Sequence, residues 1–441
     1  MNELAMNPDR EMLEQALVLG LLVKGRTVLE DFSWTPASQT FAEFLKTCGL
    51  RFELKGHQLV LEGTGFEYTF PTIIPAGFSE NATALLMALA SRDTETVFTV
   101  TGTPEERAEA KTILNECFVI QEESSTENDF SFRFSEKKRP LKETSFGNIP
   151  YLPKNAALLR ALLEGDSLSL TEHTPVRDQW SRLLAYFGVS LTIDSGADTA
   201  EMDEFEKRLA KMRGIKQERL VRTELKETKI ITSRDYFVPG DTTEAAAFTT
   251  LWVLAPVQKG SKILLKNAGL NSGRAGFFPA LKRMGALVEV TSRRERYGDV
   301  FGNVEVERGK RLTARHLSGD TLGNSLEEYP FLALAACMAE GESILRVPDA
   351  ETERFKTLFE LLAVNLRKTG ADIGVYEEGL VIRGREECDG GEFDCGNYPA
   401  AGLAFFILSL FAKGSSTIQG LEYVERAFPG VCNKLKGALG K

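Results

Sequence analysis

Histidine is scarce in this chain: His57, His173 and His316 are the only three in 441 residues, and they lie far apart. The six cysteines, Cys48, Cys117, Cys337, Cys388, Cys395 and Cys432, are scattered without CxxC spacing. A zinc site needs clustered His and Cys ligands and a disulfide scaffold needs patterned cysteines, so neither is expected. Long apolar runs are missing too. The most apolar one, YPAAGLAFFILSLFA, covers 398–412 and stops at Lys413-Gly414, short of the roughly 20 residues that span a bilayer. Apolar on all sides, it reads as a helix buried within a domain. The opening MNELAMNPDREMLEQ has no basic segment running into an apolar one, so nothing marks it for export and a cytoplasmic location is expected.

Positive charge is the other deficit, with 53 lysines and arginines against 63 acidic residues and a net charge of -10. Nucleic acids and anionic membranes attract proteins through a positive field, so neither is an expected partner. An anionic small substrate would have to meet a locally basic pocket. At 43% hydrophobic and 26% charged, the chain can bury a large core and should split into two or three domains.

What the chain does have is repetition. One phrase recurs: an apolar helix, a Gly turn, a short strand, a second helix, then a turn into further strand. It appears at 15–63, 83–120, 155–193, 244–290, 327–384 and 398–440. Three copies precede residue 230 and three follow residue 240, which predicts two domains of similar build, 1–235 and 236–441. The first helix of each copy is nearly all apolar, as in Phe331 to Met338. The second carries charge on one face, as in Phe277 to Met284 with Lys282 and Arg283. The first should be internal and the second peripheral. Between the halves, Met202, Phe205, Leu209 and Met212 fall at helical spacing and predict an inserted amphipathic helix over about 200–214.

The turn in VPGDTTEAAAF, 238–248, could expose backbone N–H groups to a phosphate at a helix start. Asp241 and Thr242 are equally ordinary N-caps, with Glu244 in the first turn. Capping alone would account for the turn.

The sixfold phrase, this turn, and the ordered series NAGLNSGRAGFFPALKRMGA, YGDVFGNVEV, EEYPFLALAACMAEGES and LRKTGADIGVYEEGLVIRG resemble the enolpyruvyl transferase family, and more closely its 5-enolpyruvylshikimate-3-phosphate (EPSP) synthase branch. The resemblance covers nearly the whole chain. It implies two inverse α/β domains, each of three βαβαββ units around buried central helices. It also implies transfer of the enolpyruvyl group of phosphoenolpyruvate to a hydroxyl of shikimate 3-phosphate, by a monomer with no metal and no organic cofactor.

The family's binding motifs are altered here. Its opening Lys-Ser becomes Arg10-Glu11, and the arginine that follows becomes Gln15. Its Asn-Ala-Gly-Thr-Ala-Met-Arg motif becomes ENATALL, with Ala82 for glycine and Leu86 for the arginine that grips phosphoenolpyruvate. Its Arg-Pro becomes Glu109-Ala110, and its Ser-Ser-Gln becomes Pro153, Lys154 and Asn155. The catalytic aspartate becomes Glu327. The next motif is matched by Glu351 and Arg354 if a helical turn is inserted, or by Phe355 and Leu358 if it is not. The family's His-Arg becomes Asn397-Tyr398, and its last lysine becomes Arg426. The resemblance thus implies Glu327 and Glu351 as catalytic, with Arg10, Lys154, Asn155, Arg354 and Arg426 binding substrate.

Each residue also has a plainer reading. Arg10, Lys154, Arg354 and Arg426 could be surface charges, and Glu327 and Glu328 could simply favour the start of an apolar helix. Asn271 and Arg274 would cap and brace a helix start. Cys117 would be core. Three functions stay open: an EPSP synthase, a transferase for a different hydroxyl acceptor, or a catalytically degenerate paralogue that keeps the fold for binding or assembly.

Overall fold

The structure, a computed structural model, describes residues 2–126, 129–135, 143–144, 149–172, 177–194, 221–271 and 273–440. The segment expected to carry the inserted helix over about 200–214 lies outside the described residues, as does His173. Contacts divide the chain into two compact units, one of Met1–Leu13, Asp31–Gln39 and Phe237–Lys441, the other of Glu14–Glu30 and Thr40–Tyr236. The N-terminal segment groups with the C-terminal half because the strand Asn2–Ala5 pairs in parallel with Lys262–Gly269, Leu4 lying opposite Leu265.

The six apolar helices are Arg10–Leu22, Glu80–Ala90, Tyr151–Glu164, Thr242–Leu254, Tyr329–Met338 and Pro399–Ser409. Every residue of Thr242–Leu254 is buried. Its Ala245, Ala246 and Ala247 leave room for neighbours at close range, and its Thr249 and Thr250 are satisfied within the helix, each donating to a carbonyl one turn back, at 2.8 Å. The second helices, such as Pro104–Cys117, are charged outside and apolar inside. That helix starts at a capping box between Thr103 and Glu106, which satisfies backbone donors left open at a helix start. Cys117 is buried at its end.

Among the described residues, five four-stranded sheets share one order: a short edge strand, then the first, third and second strands of the repeat. In one of them Ile73–Pro75 runs parallel to Phe98–Thr101, which pairs antiparallel with Asp129–Phe134, and that with Ile120–Ser125. Alternation sends Phe98, Phe130, Phe132 and Phe134 to the covered face, where Phe98 lies 6.0 Å from Phe132 and 5.8 Å from Phe134 between ring centres. Another sheet shows how tight the pairing is. Gly379 has φ 155°, and a Cβ there would come within 1.9 Å of the Leu345 carbonyl oxygen. The sixth repeat departs from the pattern: Glu392–Asp394 pairs in parallel with Thr417–Gln419 alone, and two helices, Leu421–Ala427 and Val431–Ala438, follow.

Candidate functional site

The turn before helix Thr242–Leu254 is filled by the protein's own groups. Asp241 Oδ1 accepts from the Glu244 N–H at 2.8 Å. The buried Glu244 accepts from the Asn7 N–H at 2.7 Å and from Lys434 Nζ at 3.0 Å. Burial, and then the neighbouring Asp9, push the Asp241 carboxyl well above the usual carboxylate range. With Asp241 bonded to the helix's own N–H and Glu244 engaged by Asn7 and Lys434, the turn acts as a cap.

Arg274 sits at the middle of this acidic group. Its Nη2 donates to Glu327 Oε2 at 2.7 Å and to Thr243 Oγ1 at 3.1 Å, and its Nη1 donates to Glu328 Oε1 at 3.0 Å. Asp9 Oδ2 lies 3.8 Å away. Burial opposes the guanidinium charge, but Glu327, Glu328, Asp9 and Glu11 outweigh it and hold its pKa well above the ordinary arginine value. Arg274 braces helix starts, as expected: it ties Glu327 and Glu328, the latter the N-cap of helix Tyr329–Met338, to Thr243 in the first turn of helix Thr242–Leu254. Asn271 does shape the turn, accepting from the Gly273 N–H at 3.0 Å while donating to Asp299 at 3.1 Å. Glu328 is wholly buried, whereas the Glu327 side chain keeps 24% of its surface exposed.

In the same unit, Glu351 is buried in the 3-10 turn Asp349–Glu351, and Arg354 is half-buried in the first turn of helix Thr352–Leu366. Leu358, the alternative match, is buried and Phe355 stacks near Phe359 at 6.3 Å. Arg10 is half-buried as the first residue of its helix, and Arg426 is exposed in the last turn of Leu421–Ala427.

In the other unit, Lys154 is not the surface charge that the plainer reading expects. Its Nζ donates to both oxygens of Glu172 at 3.2 Å, with the two side chains 2% and 1% exposed. Burial raises the Glu172 carboxyl, and Lys154 opposes that rise. Asn155 is buried next to it; its carbonyl accepts from Trp180 Nε1 at 3.2 Å, while its side-chain Oδ1 is buried without a partner. Arg177 stacks on the Tyr151 ring at 4.3 Å.

Leu86, expected from the resemblance to replace an arginine, is fully buried in helix Glu80–Ala90. The start of that helix is held by Glu14, a buried carboxylate that accepts from Ser79 Oγ at 2.7 Å and from Asn81 Nδ2 at 3.0 Å. Gln15 reaches Asn81 only at 3.5 Å.

Glu14 and Glu172 are the functional-looking residues that sequence reasoning missed. Signals for both existed. Glu172 shares strand face with Leu168 and Leu170, and Glu14 lies three residues before Leu17 on an apolar helix. An acid on a core-facing stripe must find a partner.

The comparisons with known proteins bear on this arrangement. A family model described as EPSP synthase (3-phosphoshikimate 1-carboxyvinyltransferase) matches residues 154–435. The chain belongs to the EPSP synthase family. A 3-phosphoshikimate 1-carboxyvinyltransferase of Synechococcus sp. (strain JA-3-3Ab) is 27% identical over 435 residues, covering 96% of this chain and 90% of that protein. One from Oceanobacillus iheyensis is 25% identical, covering 98% and 95%. Among solved structures, an EPSP synthase from Acinetobacter baumannii superimposes with a TM-score of 0.73 at 20% identity, covering 99% of this chain and 95% of that one. The enolpyruvyl transferase NikO from Streptomyces tendae gives 0.66 at 15%, covering 99% and 94%. The EPSP synthase fold, two inverse α/β domains of three repeats each, is thereby shared. The six-repeat pattern of this chain is the family's own. No helix among the described residues is long and apolar enough to cross a membrane.

Proposed function

We propose that the chain is an EPSP synthase-type enolpyruvyl transferase, a cytoplasmic monomer that moves the enolpyruvyl group of phosphoenolpyruvate to a hydroxyl of shikimate 3-phosphate or a related acceptor. The reading also keeps two functional halves, 1–235 and 236–441, and assigns binding to Arg10, Lys154, Asn155, Arg354 and Arg426 and catalysis to Glu327 and Glu351. The observation that carries it is Glu327. At the position of the family's catalytic aspartate, its Oε2 is fixed by Arg274 and Thr243, and the side chain still reaches solvent. A carboxylate held in one orientation suits proton transfer. It would take the proton of the acceptor hydroxyl as that oxygen bonds to the enol carbon, while the methylene carbon gains a proton. Loss of phosphate from the tetrahedral adduct, with a proton leaving the methyl group, restores the enol ether. The test is phosphate release by the purified protein from phosphoenolpyruvate with shikimate 3-phosphate. Release that needs both substrates and drops at least about a hundredfold in Glu327→Gln, the upper effect of general acid–base catalysis being larger still, supports the reading. No release with shikimate 3-phosphate and none with shikimate overturns it.

A second reading, a degenerate paralogue that keeps the scaffold for binding or assembly, is favoured by one observation: the binding position at Lys154 is neutralised by Glu172 within the core. Each charge-assisted hydrogen bond that a substrate fails to make forgoes about 1.5–3 kcal/mol, and each 1.36 kcal/mol of barrier is about tenfold in rate. Absent phosphate release together with intact folding supports this second reading.

A further inference from the structure

The unit containing Lys154 has several cations in and around one polar cluster, and each already has a partner. Lys154 is bonded by Glu172. Arg160 pairs with Glu164 at 2.8 Å. Arg182 pairs with Asp178 Oδ2 at 2.6 Å. Arg177 lies against the Tyr151 ring and is 3% exposed. The hydrogen-bonding capacity that is left over is of another kind. The Asn155 amide oxygen and Asp178 Oδ1 are buried acceptors with no partner, on side chains belonging to residues 3% and 7% exposed. Both belong to elements packed around Lys154 and Glu172: Asn155 follows Lys154, Trp180, two residues after Asp178, donates to the Asn155 backbone carbonyl, and Asp178 acts on Glu172 through its charge.

An unpartnered buried acceptor is costly and calls for a donor. A phosphate monoester brings acceptor oxygens and about 1.5 to 2 negative charges. Beside Glu172 and Asp178 it meets repulsion, and Lys154, Arg160 and Arg182 are already engaged by carboxylates. A hydroxyl brings the donor that Asn155 and Asp178 lack.

We propose that this cluster takes a non-phosphorylated, hydroxyl-bearing acceptor, and that Glu172 is the residue that sets this preference by neutralising Lys154. The inference rests on the transferase reading for the identity of the site, and narrows its acceptor to a polyol or hydroxy acid that carries no phosphate. Glu172 touches Lys154 rather than the acceptor, so it determines specificity through position and charge.

The experiment is calorimetric titration of the full chain at fixed ionic strength with shikimate 3-phosphate and, separately, with shikimate, its counterpart without the phosphate. The expected result is that shikimate binds at least as tightly as the phosphorylated compound. In Glu172→Gln, where Lys154 loses its counter-charge, the preference should move towards shikimate 3-phosphate by about tenfold or more, the worth of one charge-assisted hydrogen bond. A wild-type preference of about tenfold for shikimate 3-phosphate overturns the proposal. So does binding of neither compound at millimolar concentration, and so does a folded Glu172→Gln variant whose preference has not moved. Should that variant fail to fold, the wild-type ratio alone decides. Phosphate release separates this inference from the functional reading. Preferential binding of shikimate without turnover of phosphoenolpyruvate leaves the preference standing and removes the transferase activity. Turnover with preferred shikimate 3-phosphate does the reverse.

Discussion

Lys154 Nζ stands 3.2 Å from both carboxylate oxygens of Glu172, and neither side chain reaches solvent. A buried pair of this kind gains little over apolar packing but is costly to break, since removing one partner strands the other charge. Glu172→Gln should lose about 3–5 kcal/mol of stability, read by urea unfolding. Replacing the pair together, as Lys154→Met with Glu172→Leu, should cost much less than the sum of the two single changes. A double variant as unstable as that sum would refute the coupling.

Arg274 joins Glu327, Glu328 and Thr243 at a buried point. Arg274→Met should destabilise by at least about 3 kcal/mol, because two carboxylates lose their shared cation. Adding Glu328→Gln should recover part of that loss, with a coupling of at least about 1 kcal/mol in a double-mutant cycle. Strict additivity in thermal or chemical denaturation would show that the three groups are independent.

Leu86 is a candidate for restoring the family's arginine, and its burial argues against success. It is fully enclosed in helix Glu80–Ala90. Leu86→Ala should cost about 2–5 kcal/mol by leaving a cavity. Leu86→Arg should cost as much or more, by burying an unpaired charge, and should not tighten phosphoenolpyruvate binding. A stable Leu86→Arg protein with tighter binding would contradict the packing described.

Glu244 supplies a pH signature. Burial raises its pKa above the ordinary 4.5, with Lys434 and the Asn7 N–H opposing. Below pH 4.5 it is protonated in both folded and unfolded chains. As pH rises through the raised folded value, the folded protein has to ionise a buried group that ionises more readily when unfolded. The stability it contributes is therefore lost as pH rises. Glu244→Gln should show a shallower fall in stability than wild type from pH 4.5 upward, measured by urea midpoints across pH. Identical slopes would refute the assignment.

How much of this is legible in the sequence depends on how far each signal reaches. The central helices are, because an all-apolar stretch such as 399–409 has few other places to go. The turn at Asp241 is too, since capping is a local matter. The pairing of Asn2–Ala5 with Lys262–Gly269 is not: four residues carry no periodic signal, and the partner is remote in sequence. Lys154 passes for a surface charge because its environment is set by Glu172, on a strand reached only after a helix and a turn. Charge type is written locally, and charge partnership is a property of the folded chain.

The N-terminal strand has a consequence for how the chain is made. Asn2–Ala5 leaves the ribosome well before its pairing partner Lys262–Gly269, which follows more than 250 residues later. The sheet of the C-terminal half is thus completed by a segment made long before the rest of that sheet. A fragment starting at Phe237 would present Lys262–Gly269 as an open edge, able to recruit a foreign strand. A circular permutant that carries Asn2–Ala5 behind Lys441 would bring the two partners closer together in order of synthesis.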